Sequence, residues 1–233
     1  MGGFLMQKYL ASFSSIRNIK SAATTMLILP LITIVINFLM FNQYSSYSNS
    51  NIIINTLLVN IFILAFSAMA GSIVFDNQNQ ILDTVLFEAK NSLLYWLIKI
   101  FVVILSSILI CLINLVLISL FTQIEYKIIN LMFYTILSAI IGALFAICLT
   151  MPFIKNNNPY IVVNIISAYV YVFSGIFKPL EQYPPILAKI ANIFPSKHII
   201  NEYNNNKPEV TIYIAILLFA LSYLVILIYK RRA

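Results

Sequence analysis

The sequence predicts an all-α membrane protein with six transmembrane helices, and three observations carry that prediction. The chain of 233 residues is 61% hydrophobic and only 9% charged, with mean hydropathy +0.95, whereas a soluble domain is about 25% charged. Its apolar residues fall into long runs, and a hydrocarbon core about 30 Å thick needs about 20 of them per helix. The polar interruptions between runs are short, so the chain holds one transmembrane domain (1–233) and leaves no room for a large soluble one. A net charge of +7 without a basic run points to anionic membrane lipid and not to nucleic acid.

Residues 1–21 predict an N-terminal amphipathic helix lying in the membrane interface. Met6, Tyr9, Leu10, Phe13 and Ile16 recur at helical steps, and the charges are the basic Lys8, Arg17 and Lys20. They do not read as a cleaved leader, because the first long apolar run begins only at Ala22. The first span covers 22–41 and contains Pro30, which a membrane helix tolerates when neighbours satisfy the freed backbone. A short uncharged loop follows, then the second span, 52–75. Ser67 and Gly71, four residues apart, suit close helix packing.

Residues 76–91 form a polar, amphipathic interruption with Asp76, Asp83, Glu88 and Lys90. Ile81, Leu82, Val85 and Leu86 share one helical face. The third span, 92–121, opens with Tyr95 and Trp96, which suit an interfacial aromatic belt. Lys99 lies near its start and is expected to snorkel outward. The fourth span, 128–151, carries Ser138, Gly142 and Ala146 in a small-residue row, the densest packing stripe of the chain. The fifth span is 160–177. Residues 178–208 form a proline-rich segment with one short amphipathic helix near 186–194, started by Pro185 and stopped by Pro195. The sixth span is 209–229, ahead of Lys230, Arg231 and Arg232. With the N-terminus inside, every arginine falls on the cytoplasmic side, so both termini and residues 76–91 are cytoplasmic and residues 178–208 external.

The chemistry that is missing narrows the function. His198, the one histidine, reads as a surface residue, and with Glu202 it is too small a set for a metal site. No catalytic motif occurs. Cys111 and Cys148 lie within spans and behave as small hydrophobes. No acid or histidine falls deep in a span to relay ions. Asn37, Asn60, Asn114 and Asn164 are expected to hydrogen-bond between helices. No G-x-x-x-x-G-K phosphate loop is present, so the chain cannot power a pump by itself. A protein of this kind is either passive or moved by a partner.

Two stretches resemble the ABC-2 type permease family, the membrane subunits of ATP-binding cassette exporters. In that family the segment after the second span commonly reads Glu-Arg-Glu-x-Gly-Thr-Leu-Glu-x-Leu-Leu, with a later proline and a lysine entering the third span. Here Asp76 to Leu86 occupies that place, with Lys99 at the later position. Leu82, Asp83 and Leu86 keep the character, Gln80 stands where glycine is usual, and Ala89 stands near the usual proline. The family's external Ser-Gly-x-x-x-Pro-Leu-Glu-x-x-Pro is matched by Ser174, Gly175, Pro179, Leu180, Glu181 and Pro184, ahead of a short helix and Pro195. The order and spacing of these motifs extend the resemblance over essentially the whole chain.

The resemblance implies a permease subunit, without a nucleotide site of its own, that works in the plasma membrane of a bacterium. It implies a cytoplasmic ABC ATPase partner that binds ATP and Mg, and pairing with a second permease copy or a paralogous permease. Residues 76–91 would then be the coupling helix, docking on the ATPase through Asp76, Ile81, Leu82, Asp83, Val85, Leu86 and Glu88. Lys8, Arg17 and Lys20 would frame the contact, and Pro179, Leu180, Glu181, Pro184 and Pro195 would belong to an external gate. The apolar spans suit a hydrophobic or amphipathic cargo, with an antimicrobial or cytolytic peptide favoured. The competing reading is a membrane immunity protein that sequesters such a peptide without turnover.

Overall fold

A computed structural model describes residues 24, 28–44, 49–87, 92–119, 127–155, 160–176, 183–205, 207 and 209–232. Among them the regular structure is entirely helical. In chain order the helices are α1 (Leu29–Tyr44), α2 (Asn49–Gln78), α3 (Ile81–Phe87), α4 (Ser92–Ser119), α5 (Ile128–Thr150), a 3-10 turn (Met151–Phe153), α6 (Tyr160–Phe173), α7 (Pro185–Ala191), α8 (Pro195–Asn205) and α9 (Glu209–Arg232). Four of them, α2, α4, α5 with its 3-10 turn, and α9, are long and apolar enough to cross a membrane. Among the described residues α1 has 16 and α6 has 14, which rise about 24 and 21 Å at 1.5 Å per residue.

The 30-residue α2 is the axis of the bundle. It is apolar on every side, which is the pattern of a helix buried over most of its surface. Leu57, Leu58, Ile61, Phe62, Phe66, Met69 and Ile73 are fully buried. Its neighbours are α5 above all, then α1, α4 and α6. By contrast α4 and α9 turn large apolar residues outward, among them Phe101, Leu105 and Val116 on α4 and Ile216, Leu217 and Phe219 on α9. Faces of that kind suit lipid.

The contact between α2 and α5 is close because α5 offers a row of small residues. Ser138, Gly142 and Ala146 are all buried. A Cβ on Gly142 would lie 2.6 Å from the backbone carbonyl oxygen of Phe62 and 3.1 Å from the Ala65 Cβ. The pair on α2 behaves differently. Ser67 Oγ lies 3.5 Å from Ser167 Oγ on α6, but a Cβ on Gly71 would meet nothing within 4 Å. Among the described residues nothing packs closely on Gly71, and of the two glycines only Gly142 stands at a tight approach.

Pro30, near the start of α1 as described, is buried, and a neighbouring helix satisfies the polar groups around it. Its carbonyl accepts from Thr33 Oγ1 at 2.8 Å, and Asn60 Nδ2 on α2 donates to it at 3.4 Å and to Thr33 Oγ1 at 2.8 Å. The Tyr171 hydroxyl on α6 donates to Asn60 Oδ1. Asn60 thus joins three helices, as expected of an amide in apolar surroundings. Asn114 Nδ2 instead bonds within its own helix, to Ile110 O at 2.8 Å, and Asn164 is exposed. The Asn37 side chain lies outside the described residues.

After α6 the sequence predicts one helix closed by Pro195, and the structure holds two. Pro195 opens α8 and does not merely end α7. The physical reason is that proline at a first helical position is as favourable as proline in an interior is not. Phe194, in the turn between them, stacks on Phe173 at the end of α6 with ring centroids 4.9 Å apart. Glu202 is buried, and its carboxylate accepts from the backbone N–H groups of Val210 (2.6 Å) and Thr211 (3.0 Å). It therefore caps the start of α9, satisfying donors that have no partner inside the helix. The Tyr134 hydroxyl of α5 donates to the Glu202 backbone carbonyl at 2.9 Å, so three elements meet there.

Substitutions at the two glycines separate the close approach from the open one. Gly142→Ala is expected to destabilise the protein by about 1–3 kcal/mol, the usual range for overpacking. Gly71→Ala is expected to be neutral or to gain up to about 1 kcal/mol from helix propensity. Thermal midpoints in detergent check both, and equal midpoints would refute the assignment of the close contact to Gly142.

Candidate functional site

The residues that distinguish this chain from a plain apolar bundle gather at the end of α2, around the seven-residue α3. The polypeptide leaves α2 after Gln78 and turns within two residues. Asn79 N–H donates to Phe75 O (3.1 Å), its side chain Nδ2 donates to the same carbonyl (2.7 Å), and Gln80 N–H donates to Asn77 O (3.1 Å). Gln80 then adopts φ 58°, the left-handed region that favours glycine. Its carbonyl accepts from the backbone N–H of Thr84 (3.4 Å) and from Thr84 Oγ1 (3.0 Å), which starts α3. The glycine usual at this place in the related pattern has a physical reason here: the turn demands positive φ.

One side of α3 is built into the bundle. Leu82 is fully buried, and Ile81 and Val85 are half-buried. Asp83 and Thr84 are exposed. Asp83 stands in the first turn, where a negative charge complements the helix dipole, and the Tyr229 hydroxyl of α9 donates to its Oδ1 at 3.3 Å. The Lys155 ammonium lies 5.5 Å from the centroid of the Tyr229 ring, and Asn77 Nδ2 donates to Ile154 O at 3.5 Å. The ends of α2 and α9 and the turn after α5 therefore converge on α3.

Just behind α3 lies an ion pair. Lys99 Nζ on α4 is 2.5 Å from Asp76 Oδ2 on α2, and both side chains are almost wholly buried. The same carboxylate oxygen accepts from the Tyr95 hydroxyl, and Lys99 Nζ donates to Ser72 Oγ. The ammonium also lies 4.9 Å from the Tyr95 ring centroid. The geometry is two i,i+4 pairs facing each other, Ser72 and Asp76 on one helix and Tyr95 and Lys99 on the other.

Four expectations change in consequence. Lys99 does not snorkel outward, because a carboxylate reaches it inside. Asp76 belongs to α2 and not to a surface segment, so it is no docking contact; burial beside Lys99 takes it out of reach. Leu82 is a core residue of this chain, so among the described side chains α3 shows Asp83 and Thr84 outward, edged by Ile81 and Val85. Tyr95 and Trp96 are likewise buried, their rings edge to face at 5.1 Å, and form no outward aromatic belt. The missed signal was the i,i+4 spacing on both flanks of the turn, which places one acid opposite one lysine.

The side chain of Leu86 lies outside the described residues, as do Glu88, Lys8, Arg17, Lys20, Pro179, Leu180 and Glu181. Pro184 is exposed ahead of α7, and Pro195 is buried at the start of α8. His198 is half-buried, with Nε2 3.0 Å from Asn192 O. Among the described residues no three His, Cys, Asp or Glu side chains come together to hold a metal. Both cysteines are free and sit at helix contacts, Cys111 accepting from Thr135 Oγ1 at 3.3 Å.

The turn itself is testable. Gln80→Val places a β-branched residue at positive φ and is expected to cost about 1–2 kcal/mol, while Gln80→Gly is expected to cost nothing or to stabilise. Thermal midpoints of the two variants should move apart, and equal values would contradict the left-handed turn.

No curated protein and no solved structure matches the chain significantly. A family model described as ABC-2 type transporter matches residues 7–206, which takes in every helix from α1 to α8. That match covers most of the chain and agrees with a helical bundle having several helices fit to cross a membrane: the protein is a multi-pass membrane protein and belongs to the ABC-2 type transporter family.

Proposed function

We propose that the chain is the permease subunit of an ATP-binding cassette exporter and that α3 is its coupling helix. The observation that carries this reading is a short helix held between two membrane-length helices, with Leu82 anchored in the core and Asp83 and Thr84 displayed outward. A helix held by its own bundle on one side and charged on the other can both choose a partner and receive its push. The partner is a cytoplasmic ATPase that binds ATP with Mg. The absence of a phosphate-binding loop in the sequence supports an energy source in another chain.

In this reading α1 and α6 complete six crossings, both termini and α3 face the cytoplasm, and α7 and α8 cap the outer side of the plasma membrane. The permease works as a dimer with a second copy or a paralogue. The cargo is hydrophobic or amphipathic, with a membrane-active peptide favoured by the apolar spans. The family match supports the permease role; the cargo rests on composition alone.

Asp83→Lys combined with Thr84→Glu inverts the exposed face without touching Leu82. The double variant should insert normally and lose at least tenfold in association with an ATP-binding cassette ATPase of the same cell, measured by co-purification, along with stimulation of ATP hydrolysis. Tyr229→Phe, which removes the Asp83 contact but keeps the exposed face, should retain association. Wild-type association of the double variant would sink the coupling role of α3.

A further inference from the structure

The ion pair behind α3 does more than fill space, and its position says what it does. Its four members come from the last turns of α2 and the first turns of α4, the two helices between which α3 is strung. Asp76 is two residues from the end of α2, and Lys99 is two turns into α4. α3 packs against both helices. A displacement of α3 therefore reaches α2 directly through the two-residue turn at Asn79 and Gln80. It also presses on α4, and a tie between the two helix ends holds their movements in step.

Separating Asp76 from Lys99 within the bundle would leave two uncompensated buried charges, which is strongly unfavourable. An apolar contact tolerates sliding by a fraction of a side chain. An ion pair with two further hydrogen bonds, from Tyr95 to the acid and from the lysine to Ser72, does not. Buried pairs are often no more stable than apolar residues of the same volume. Stability is thus a weak reason for placing one here, and register between α2 and α4 is a better one.

We infer that Asp76 and Lys99, with Tyr95 and Ser72, are positioning residues that lock the ends of α2 and α4 into one rigid step beneath α3, so that a push on α3 moves both helices together. This inference rests on the reading of α3 as the coupling helix.

The test uses the full chain in nanodiscs: distances are read in a Cys111→Ala, Cys148→Ala background with nitroxides on Thr84→Cys and Leu97→Cys, both exposed positions, while ATPase association and ATP hydrolysis are read on unlabelled protein with Thr84 and Leu97 intact. An all-apolar variant, Ser72→Ala, Asp76→Leu, Tyr95→Phe and Lys99→Met, removes the lock and both of its charges together. It should keep a thermal midpoint within a few degrees of the parent and associate with the ATPase within about twofold. The Thr84 to Leu97 distance distribution should at least double in width, and stimulation of ATP hydrolysis should fall at least fivefold. A distribution of parental width in the folded variant overturns the inference. Should that variant fail to insert, Asp76→Asn with Lys99→Gln is read in the same way. If neither inserts, the pair is required only for folding and the inference is overturned as well. The distance is measured without ATPase, so its outcome stays separate from the coupling role of α3, which the Asp83 and Thr84 variant decides.

Discussion

The structure depends on how near α5 comes to α2. Inside a membrane, water gives no hydrophobic push between helices, so association relies on close van der Waals contact and on hydrogen bonds between helices. Gly142 lets the α5 backbone reach the Phe62 carbonyl of α2 at a distance that any side chain would prevent. Around that contact α2 is buried over most of its surface, and so can act as an axis for α1, α4, α6 and the short α3.

Polar side chains then do the pairing that apolar surfaces cannot specify. Asn60 ties α1 and α6 to α2, Glu202 ties α8 to α9, and Asp76 ties α2 to α4. Each polar group is expensive to bury alone and settles one helix register when paired. A bundle of apolar helices could slide; these pairs allow one alignment. They lie at different levels, Asn60 well within α2, Asp76 near its end, and Glu202 beside the start of α9.

Much of this was legible in the sequence. The apolar runs, bounded by Asn, Ser, Lys and Pro, mark where helices exist and roughly where they end, because length and polarity limit a membrane helix strongly. The amphipathic spacing of Ile81, Leu82 and Val85 marks α3. What was not legible is which neighbour each polar residue finds. Asp76 read alone belongs to a polar loop, and Lys99 read alone belongs at a membrane surface. Only the sharp turn at Gln80, which folds α3 and α4 back beside α2, makes them partners. The same limit applies to Pro195, where local sequence permits either a stop or a start and the packing of Phe194 on Phe173 accompanies a start. Gly71 and Gly142 look alike as small residues in a row, and tertiary approach alone tells them apart.

The cap that Glu202 supplies has a mechanical consequence. Its carboxylate stands on α8 and accepts from the first turn of α9, so the two helices are tied at that point. Lifting α8 from the bundle would strip the first turn of α9 of its cap, a loss on the order of 1 kcal/mol, and would break the Tyr134 bond as well. Displacing α8 would therefore carry the start of α9 with it.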